Sequence, residues 1–582
     1  MTVANAAPGQ NHRFRQEFVQ LDMLTRHFFG RLFRNDIVDF EDQMKARLIA
    51  VFSILTIIVG WISELLLFKY NIAPDANLSW QEKCYVFNLM MIIFGIVTLL
   101  EWDLLFLDRQ DFLNLTPLPV RLRTVFFAKL ASFIIFIGLF SVAMNGMSSV
   151  LFSLYLGSWR SSSPVFLARY LIAHLLSAAA ACFCVFFACV FIHLLLLAVL
   201  PFSAYRKISL LVRLLLIAVF VFFLLVFIIE PTILDNSFNS LAKAKDSGAS
   251  FFFNFPPLWF VGLYEVLLGT KYPDYEALAK TAAIALALSL GTFMLASMLS
   301  YYRYVSKTLE AKKNRPNLFR LREKMATVFR NLIFWSPEER AVADFFSKTI
   351  RSSPKHRMVL VNYMGVAGGL ILLFIAVDRQ GFRTLSPENM NLLAQPLILS
   401  IVLLIGIRAV INIPAAPEAR WVFQVTETAR RTRYISGLKK AIFFKWFLPL
   451  SVLVFLSHLL LWTDWRSALN HAIFGLTISG LGLETAFCRF GKIPFACKTV
   501  PGRSRLQTRG VLYVLGLIAF LAIFSFLDKE LLRNPSEFFI FFAFAGVYWF
   551  FLRFRNAQFL KTHPLRFEEE PEPALLTLSG EI

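Results

Sequence analysis

Residues 108–129, DRQDFLNLTPLPVRLRTVFFAK, separate two long apolar runs of the chain. Pro117 and Pro119 fix the backbone φ angle and remove two amide donors, so the runs on either side cannot join into one helix. The segment itself is polar and basic, whereas its flanks are apolar over lengths that suit a lipid bilayer. We therefore expect a stiff elbow between two membrane-spanning helices.

The composition excludes an ordinary soluble globular protein. Of the 582 residues, 57% are hydrophobic, whereas soluble domains have about 45–50%. The net charge of +21 would suggest nucleic acid in a soluble chain, but here the basic residues lie between apolar runs, where they orient the protein against an anionic membrane surface. Membrane lipid is therefore an expected partner, and nucleic acid is not. Of the six cysteines, Cys182, Cys184 and Cys189 lie in one apolar run, and no neighbouring histidine or carboxylate completes a tetrahedral set around the Cys-x-Cys pair, so we expect neither a metal site nor a disulfide framework.

The apolar runs predict an all-α polytopic membrane protein with about twelve spans, since a helix needs about 20 residues to cross a bilayer. The predicted spans are 48–68, 85–105, 125–150, 167–199, 208–229, 281–300, 358–377, 393–412, 442–462, 467–487, 510–527 and 537–552.

Lysine and arginine concentrate in alternate connections between these runs. The basic connections are 108–124, 201–213, 301–357, 413–445 and 488–509, while those between them are acidic, mixed or nearly uncharged. Because basic loops stay on the cytoplasmic side, the pattern predicts a cytoplasmic (inner) membrane protein with both termini in the cytoplasm. Residues 1–47, 301–357 and 553–582 should face the cytoplasm, and the loop 230–280 should face outward.

The spans also form two similar sets of six. Spans one to five begin about 300–317 residues before spans seven to eleven, and internal duplication of this kind is common among transporters. We divide the chain into an amphipathic segment (1–47), a first half (48–300), a cytoplasmic linker (301–357), a second half (358–552) and a cytoplasmic tail (553–582).

Each half is preceded by sequence with the periodicity of an amphipathic helix. Residues 13–34 place Phe18 and Phe28 on one face and arginines mostly elsewhere, which indicates a helix lying in the membrane interface or packed on another domain. Residues 318–335 show a similar pattern. Ser336, followed by proline and two glutamates, should cap a further helix.

The two halves place a second elbow at 413–445, in the position that 108–129 occupies in the first half. Pro414 and Pro417 end the eighth span there. The charged and aromatic residues that follow are Glu418, Arg420, Trp421, Phe423, Glu427, Arg430, Arg431 and Arg433.

A search for catalytic chemistry gives no candidate residues. The Gly491-Lys492 pair is not followed by serine or threonine, as a phosphate-binding loop requires, so we expect no ATPase and no cofactor in this chain. The histidines in the spans are isolated in sequence, and we interpret His458, His471 and the others as packing residues rather than a coupling-ion site.

The run from Asp108 to Leu130 resembles the loop between spans two and three of ABC exporter permeases of the type-2 group. In that family an acidic residue, a Leu-Pro pair and an Ala-Lys that opens the next span recur, and the loop holds a coupling helix that docks on a separate ATPase subunit. The resemblance implies that this chain is the permease of an ATP-driven exporter, with ATP and Mg bound by the partner ATPase. It transfers roles to Asp108, Asp111, Leu118, Pro119, Ala128 and Lys129.

Other residues of the elbow acquire expected roles under this resemblance. Phe112, Leu115 and Leu118 would anchor the loop in the partner's groove, and Asp108, Arg121 and Arg123 would set its register. Pro117 and Pro119 would supply stiffness. The second elbow would couple in the same way, although it lacks the Leu-Pro pair. The exported substrate is not apparent from the sequence.

Two other classes of protein remain as alternatives. A twelve-span secondary carrier of the major-facilitator kind has the same number of halves and the same orientation, but its glycine-bracketed Asp-Arg is missing around Asp108 and Arg109. A membrane assembly factor that transports nothing is the third class.

Overall fold

The structure is a computed structural model. It describes residues 10–33, 53, 56–68, 79–100, 120–161, 163–229, 254–310, 333–377, 387, 389–415, 420–426, 431–462, 464–495, 506–563 and 565. Every extended regular element in these ranges is helical, and they contain no β-strand. The all-α prediction is therefore confirmed for the described residues.

The chain forms two compact units. The first comprises Met1–Ser209 and Phe223–Lys312, and the second comprises Leu210–Phe222 and Lys313–Ile582. The first unit contains the helices α1 (Gln10–Phe33), α2 (Thr56–Leu67), α3 (Trp80–Leu100), α4 (Leu122–Phe152), α5 (Pro164–Val199), the two ends of α6 (Phe202–Ile229), α7 (Pro256–Leu268) and α8 (Pro273–Glu310). A π-helical turn, Ser153–Gly157, continues α4 as far as Arg160.

Within the first unit, α5 is the central helix, since it packs against α3, α4, α7 and α8. The core between them is rich in aromatic rings, and Phe87, Phe152, Tyr170 and Tyr264 are all buried. α7 and α8 approach so closely that a Cβ at Gly262 would collide with α8. A residue without a side chain therefore makes this contact possible.

The predicted outer loop 230–280 is not a plain loop. It contains α7, and the side chains of α7 such as Leu258 and Phe260 are buried in the core of the first unit. The helix has 13 residues, which is too few to cross a bilayer. The hydropathy of the sequence therefore did not predict it as a span.

The second unit contains the helices α9 (Pro337–Ser352), α10 (Pro354–Val377), α11 (Met390–Ile411), α12 (Arg420–Val425), α13 (Thr432–Ile442), α14 (Leu448–Trp462), α15 (Trp465–Ala486), α16 (Leu506–Arg533) and α17 (Phe538–Thr562). A π-helical turn, Phe443–Phe447, joins α13 to α14. One apolar core is built from α10, α11, α15, α16 and α17, with Ile398 and Phe474 fully buried. A second core surrounds Phe346 of α9 and Leu438 of α13.

Among the described residues, nine helices are long and apolar enough to cross a membrane, whereas the sequence predicted about twelve spans. The first predicted span is described only in part, as α2. The tenth and eleventh form the long helices α15 and α16, which are not among the nine. The fold is therefore that of a helical protein suited to a membrane, while its orientation and the relation between its halves stay predictions.

The predicted amphipathic helices and the predicted helix cap have different outcomes. Residues 13–34 correspond to α1, where Phe28 is buried against Val125 and Ala128 of α4 while Phe18 and Met23 are exposed. The helix thus packs on the protein and still presents apolar side chains outward. The predicted cap at residue 336 is confirmed, because this serine accepts a hydrogen bond from the third residue of α9. The predicted helix 318–335 lies mostly outside the described residues.

Candidate functional site

The second predicted elbow, 413–445, folds into the short helices α12 and α13. Arg420 is the first residue of α12, in which Trp421 is 63% exposed and Phe423 is buried. Arg431 precedes α13. The remaining predicted contact residues of this elbow, Glu418, Glu427 and Arg430, lie outside the described residues.

One face of α13 is fixed against α9. Tyr434, Ile435 and Leu438 are buried, at the spacing that places residues on one side of a helix. On the same face, a Cβ added at Gly437 would lie 2.5 Å from the carbonyl oxygen of Glu339. The two helices therefore meet backbone to backbone, which leaves little room for one to slide along the other.

Ion pairs hold α13 at both sides of this contact. Lys440 Nζ lies 2.7 Å from Glu339 Oε2 and also donates to the carbonyl of Ile333, and Lys439 Nζ lies 2.5 Å from Glu484 Oε2 of α15. All four charged side chains are less than one third exposed. Pairs that are partly removed from water are screened less by salt than surface pairs.

The start of α9 supports the same contact. Ser336 Oγ accepts the N–H of Glu339 at 3.2 Å, and the Glu339 carboxylate accepts the N–H of Trp335 at 3.2 Å. Arg433 lies 3.5 Å from Glu338. A hydrogen bond to its own backbone N–H, with further bonds from Ser336 and Arg433, holds the pKa of Glu338 below its usual value.

A cavity of about 570 Å³ opens beside this contact. Its walls come from α9, α13, the π-helical turn, α15 and α17, all within the second unit. Cationic side chains outnumber carboxylates in the lining by four to two. The lining residues are Glu339, Thr432, Arg433, Ser436, Lys439, Lys440, Phe443, Phe444, Gly480, Leu483, Glu484, Trp549, Arg553, Asn556 and Ala557.

The first predicted elbow is described only where it enters α4. Arg121 Nη1 lies 2.6 Å from Glu17 Oε1 of α1, Ala128 is fully buried, and Lys129 Nζ lies 5.7 Å from the centroid of the Phe28 ring. Arg123 lies in the first turn of α4. The other predicted residues, Asp108, Asp111, Phe112, Leu115, Pro117, Leu118 and Pro119, lie outside the described residues.

The two elbows share a local arrangement, each within its own unit. In each half, an amphipathic helix packs against the helix that leads into the third span of that half. The pairs are α1 with α4 in the first unit and α9 with α13 in the second. An arginine at that start pairs with a glutamate of the amphipathic helix, Arg121 with Glu17 and Arg433 with Glu338. Hydropathy alone did not predict this shared ion pair.

The structure also brings together charged residues that the sequence analysis left separate. In the first unit, Lys83 of α3 is fully buried and paired with Glu265 of α7. Glu265 also accepts from Arg160 Nη1 at 3.3 Å and Thr270 Oγ1 at 2.8 Å, and the ammonium of Lys83 lies 4.7 Å from the centroid of the Tyr264 ring. A buried cation needs such partners, because burial without them is costly.

A second buried polar cluster lies in the second unit. His471 Nδ1 of α15 is 2.5 Å from Asp528 Oδ2 of α16, and both side chains are fully buried. The ring of His458 lies 4.7 Å, and that of Trp462 5.4 Å, from the His471 ring. His471 is therefore not isolated in space, and its interpretation as a packing residue rather than part of a coupling-ion site stays a prediction. His471 and Asp528 are separated by 57 positions in the sequence, so local sequence patterns could not predict this pair.

Comparison with known proteins gave no match to a family model, a curated protein or a solved structure. The class that the fold defines is that of a helical protein with several helices suited to crossing a membrane. Any more specific function rests on the elbows and the buried polar clusters.

Proposed function

We propose that this chain is the membrane-spanning permease subunit of an ATP-driven exporter of the ABC type. The observation that carries the proposal is that the second elbow runs without a break into a spanning helix. Residues Thr432–Trp462 form one continuous helical segment, whose first eleven residues are α13. A displacement of the elbow by a partner would therefore move the span as a rigid body.

The contacts of α13 fit this coupling role. The backbone contact at Gly437 and the pairs made by Lys439 and Lys440 fix α13 to α9 and α15. A force on this end of the helix is thus passed to packed neighbours instead of being lost in a flexible loop. The first elbow leads into α4 in the same manner, since Arg121 immediately precedes that helix.

The surface for a partner ATPase would be α12. Trp421 is 63% exposed and Val425 is 78% exposed, while Phe423 between them is buried and holds the helix on the protein. Aromatic residues are enriched where proteins bind one another. An exposed tryptophan beside basic residues, on the side predicted to face the cytoplasm, suits a soluble ATPase subunit.

Copurification from the native cell tests this proposal. The full chain should carry an ATPase subunit with it, and Trp421→Ala combined with Val425→Ser should reduce that recovery at least tenfold. The matched control is Trp465→Ala, because Trp465 is 56% exposed at the start of α15 and is predicted to face the opposite side. Equal recovery with both variants, or no ATPase with the unaltered chain, would exclude coupling through α12.

The His471–Asp528 pair favours a second candidate function, a proton-driven secondary carrier. Ionisable residues buried among membrane helices commonly mark proton pathways in transporters, and this pair is fully buried. Transport by vesicles in response to an imposed pH gradient, without ATP and lost in Asp528→Asn, would support the carrier. Transport that requires ATP and persists in Asp528→Asn would support the exporter.

A further inference from the structure

The cavity beside α13 has charges that are only partly matched. Lys439 and Lys440 are each paired with a carboxylate of the lining, so their charges are largely compensated. Arg553 of α17 is different. It stacks at 4.8 Å on the ring of Trp549 and forms no ion pair with a carboxylate among the described residues.

Uncharged hydrogen-bonding groups surround the same space. The hydroxyls of Thr432 and Ser436 belong to the lining, and so does Asn556, which is only 7% exposed. The side-chain oxygen of Asn556 has no hydrogen-bond partner within the described structure. Buried amides normally have partners, so this oxygen is a candidate acceptor for a ligand of the cavity.

The other wall of the cavity is apolar and aromatic. Phe443, Phe444 and Trp549 belong to it. Further along α17, Phe550 and Phe554 are 67% and 54% exposed. Aromatic rings together with arginine at one level of a spanning helix are typical of the boundary between headgroups and acyl chains. This pattern favours a position of the cavity at the level of the lipid headgroups.

We propose that this cavity binds the phosphate-bearing headgroup of an anionic lipid in the leaflet that faces the predicted cytoplasmic side. Arg553 offers a fork of N–H donors that suits phosphate oxygens, and Arg433 lies across the same lining. The hydroxyls and Asn556 can bind the polar remainder of the headgroup. The rings of Phe443 and Phe444 would contact the first part of the acyl chains.

The mixed lining argues for a lipid over a free anion. Lys439, Lys440 and Arg433 already have carboxylate partners. Arg553 alone among the cationic lining residues forms no ion pair within the described structure, and one such cation suits the single charge of a phosphodiester better than the higher charge of inorganic phosphate. A free anion would also leave the aromatic wall unused, while an acyl chain would cover it and add apolar contact. Lipid pockets of this kind are generally basic and lie on the cytoplasmic side of helix bundles.

The experiment uses the purified full-length protein in neutral detergent, with native mass spectrometry to count bound lipids. Phosphatidylglycerol should remain bound at a ratio near one per chain, whereas phosphatidylcholine should be lost. Excess inorganic phosphate should not displace phosphatidylglycerol. Displacement by inorganic phosphate would show a site for soluble anions and overturn the proposal.

Matched variants separate this site from general surface charge. Arg553→Gln should weaken phosphatidylglycerol retention about five- to tenfold. Arg555→Gln removes the same charge two residues further along α17, outside the lining, and should have little effect. Asn556→Asp should weaken retention as well, because it adds a negative charge to the cavity. Equal losses in Arg553→Gln and Arg555→Gln, with none in Asn556→Asp, would refute the site.

Discussion

Replacing Glu265 with glutamine should destabilise the first unit by about 3–5 kcal/mol, the usual cost of removing one partner from a buried ion pair. Glutamine keeps the size of the side chain but removes its charge. Lys83 is fully buried, and its ion-pair partner is Glu265. In the glutamine variant, Lys83 must give up its proton or remain charged beside the neutral rings of Tyr170 and Tyr264. Both outcomes are unfavourable.

Removing the lysine of the pair should lower the free energy of unfolding less than removing the charge of the glutamate. After Lys83→Met, Glu265 keeps Arg160 at 3.3 Å and Thr270 at 2.8 Å. The attraction between two unit charges at that ion-pair distance is about 5 kcal/mol at an effective dielectric constant of 20, before desolvation is subtracted. Because Arg160 is 28% exposed, part of this attraction is screened. We expect Lys83→Met to lower the free energy of unfolding by about 1.5–3 kcal/mol, the value of a hydrogen bond to a charged group.

The variant that combines Glu265→Gln with Lys83→Met completes a double-mutant cycle. With both changes present no uncompensated lysine remains, so the combined loss should be smaller than that of Glu265→Gln alone. Unfolding by SDS in mixed micelles gives the free energies for the four proteins. Lys280→Met, at an exposed position of α8, is the control and should change stability by no more than about 0.5 kcal/mol. Strictly additive losses, or Lys83→Met costing more than Glu265→Gln, would refute the reasoning.

Three further changes test other parts of the structure. Gly437→Ala should destabilise the second unit by about 1–3 kcal/mol, because its Cβ meets backbone atoms of α9, whereas Gly475→Ala, with open space around its Cβ, should be neutral or stabilising in the same SDS titration. Hydrogen bonds from Ser467 and from backbone N–H groups lower the pKa of Asp464. Its contribution to stability is therefore present above the unfolded pKa of about 3.9 and lost as the pH falls through the lower folded value, so melting curves of Asp464→Ala and the unaltered protein should differ at pH 7 and converge in acid. Under the proposed exporter function, replacing Pro117 and Pro119 with glycine should leave expression nearly unchanged but weaken ATPase association or uncouple ATP hydrolysis from transport, and normal ATP-dependent transport by that variant would exclude the stiff-elbow mechanism.

Much of the fold could be predicted because a spanning helix needs only a long apolar run. The predicted span 167–199 corresponds to α5 at Pro164–Val199, and 393–412 corresponds to α11 at Met390–Ile411. The helix ends were less accurate where amphipathic sequence extends a span. The ninth predicted span began at residue 442, whereas the helical segment begins at Thr432, because the charged side chains of α13 find partners in the protein and not in water.

The candidate site was less accessible from the sequence. Charge and aromatic content indicated the second elbow, and the structure places Trp421 outward and Arg433 in an ion pair. The cavity could not be predicted, since its walls come from five segments between Glu339 and Ala557. The partners of Lys83 were equally hidden, because the glutamate lies 182 positions away in a helix too short to be recognised as a span.

Two of the predicted spans, α15 and α16, share a buried polar contact. α15 contains Asn470, His471 and Glu484, and α16 contains Asp528 near its end. His471 and Asp528 face each other inside the protein, and Glu484 is paired with Lys439. His471, Glu484 and Asp528 are therefore turned toward the protein, where their partners offset the cost of burying them. Hydropathy scores each side chain by itself, so it identifies neither the partner of a polar residue nor the face of the helix on which the two meet.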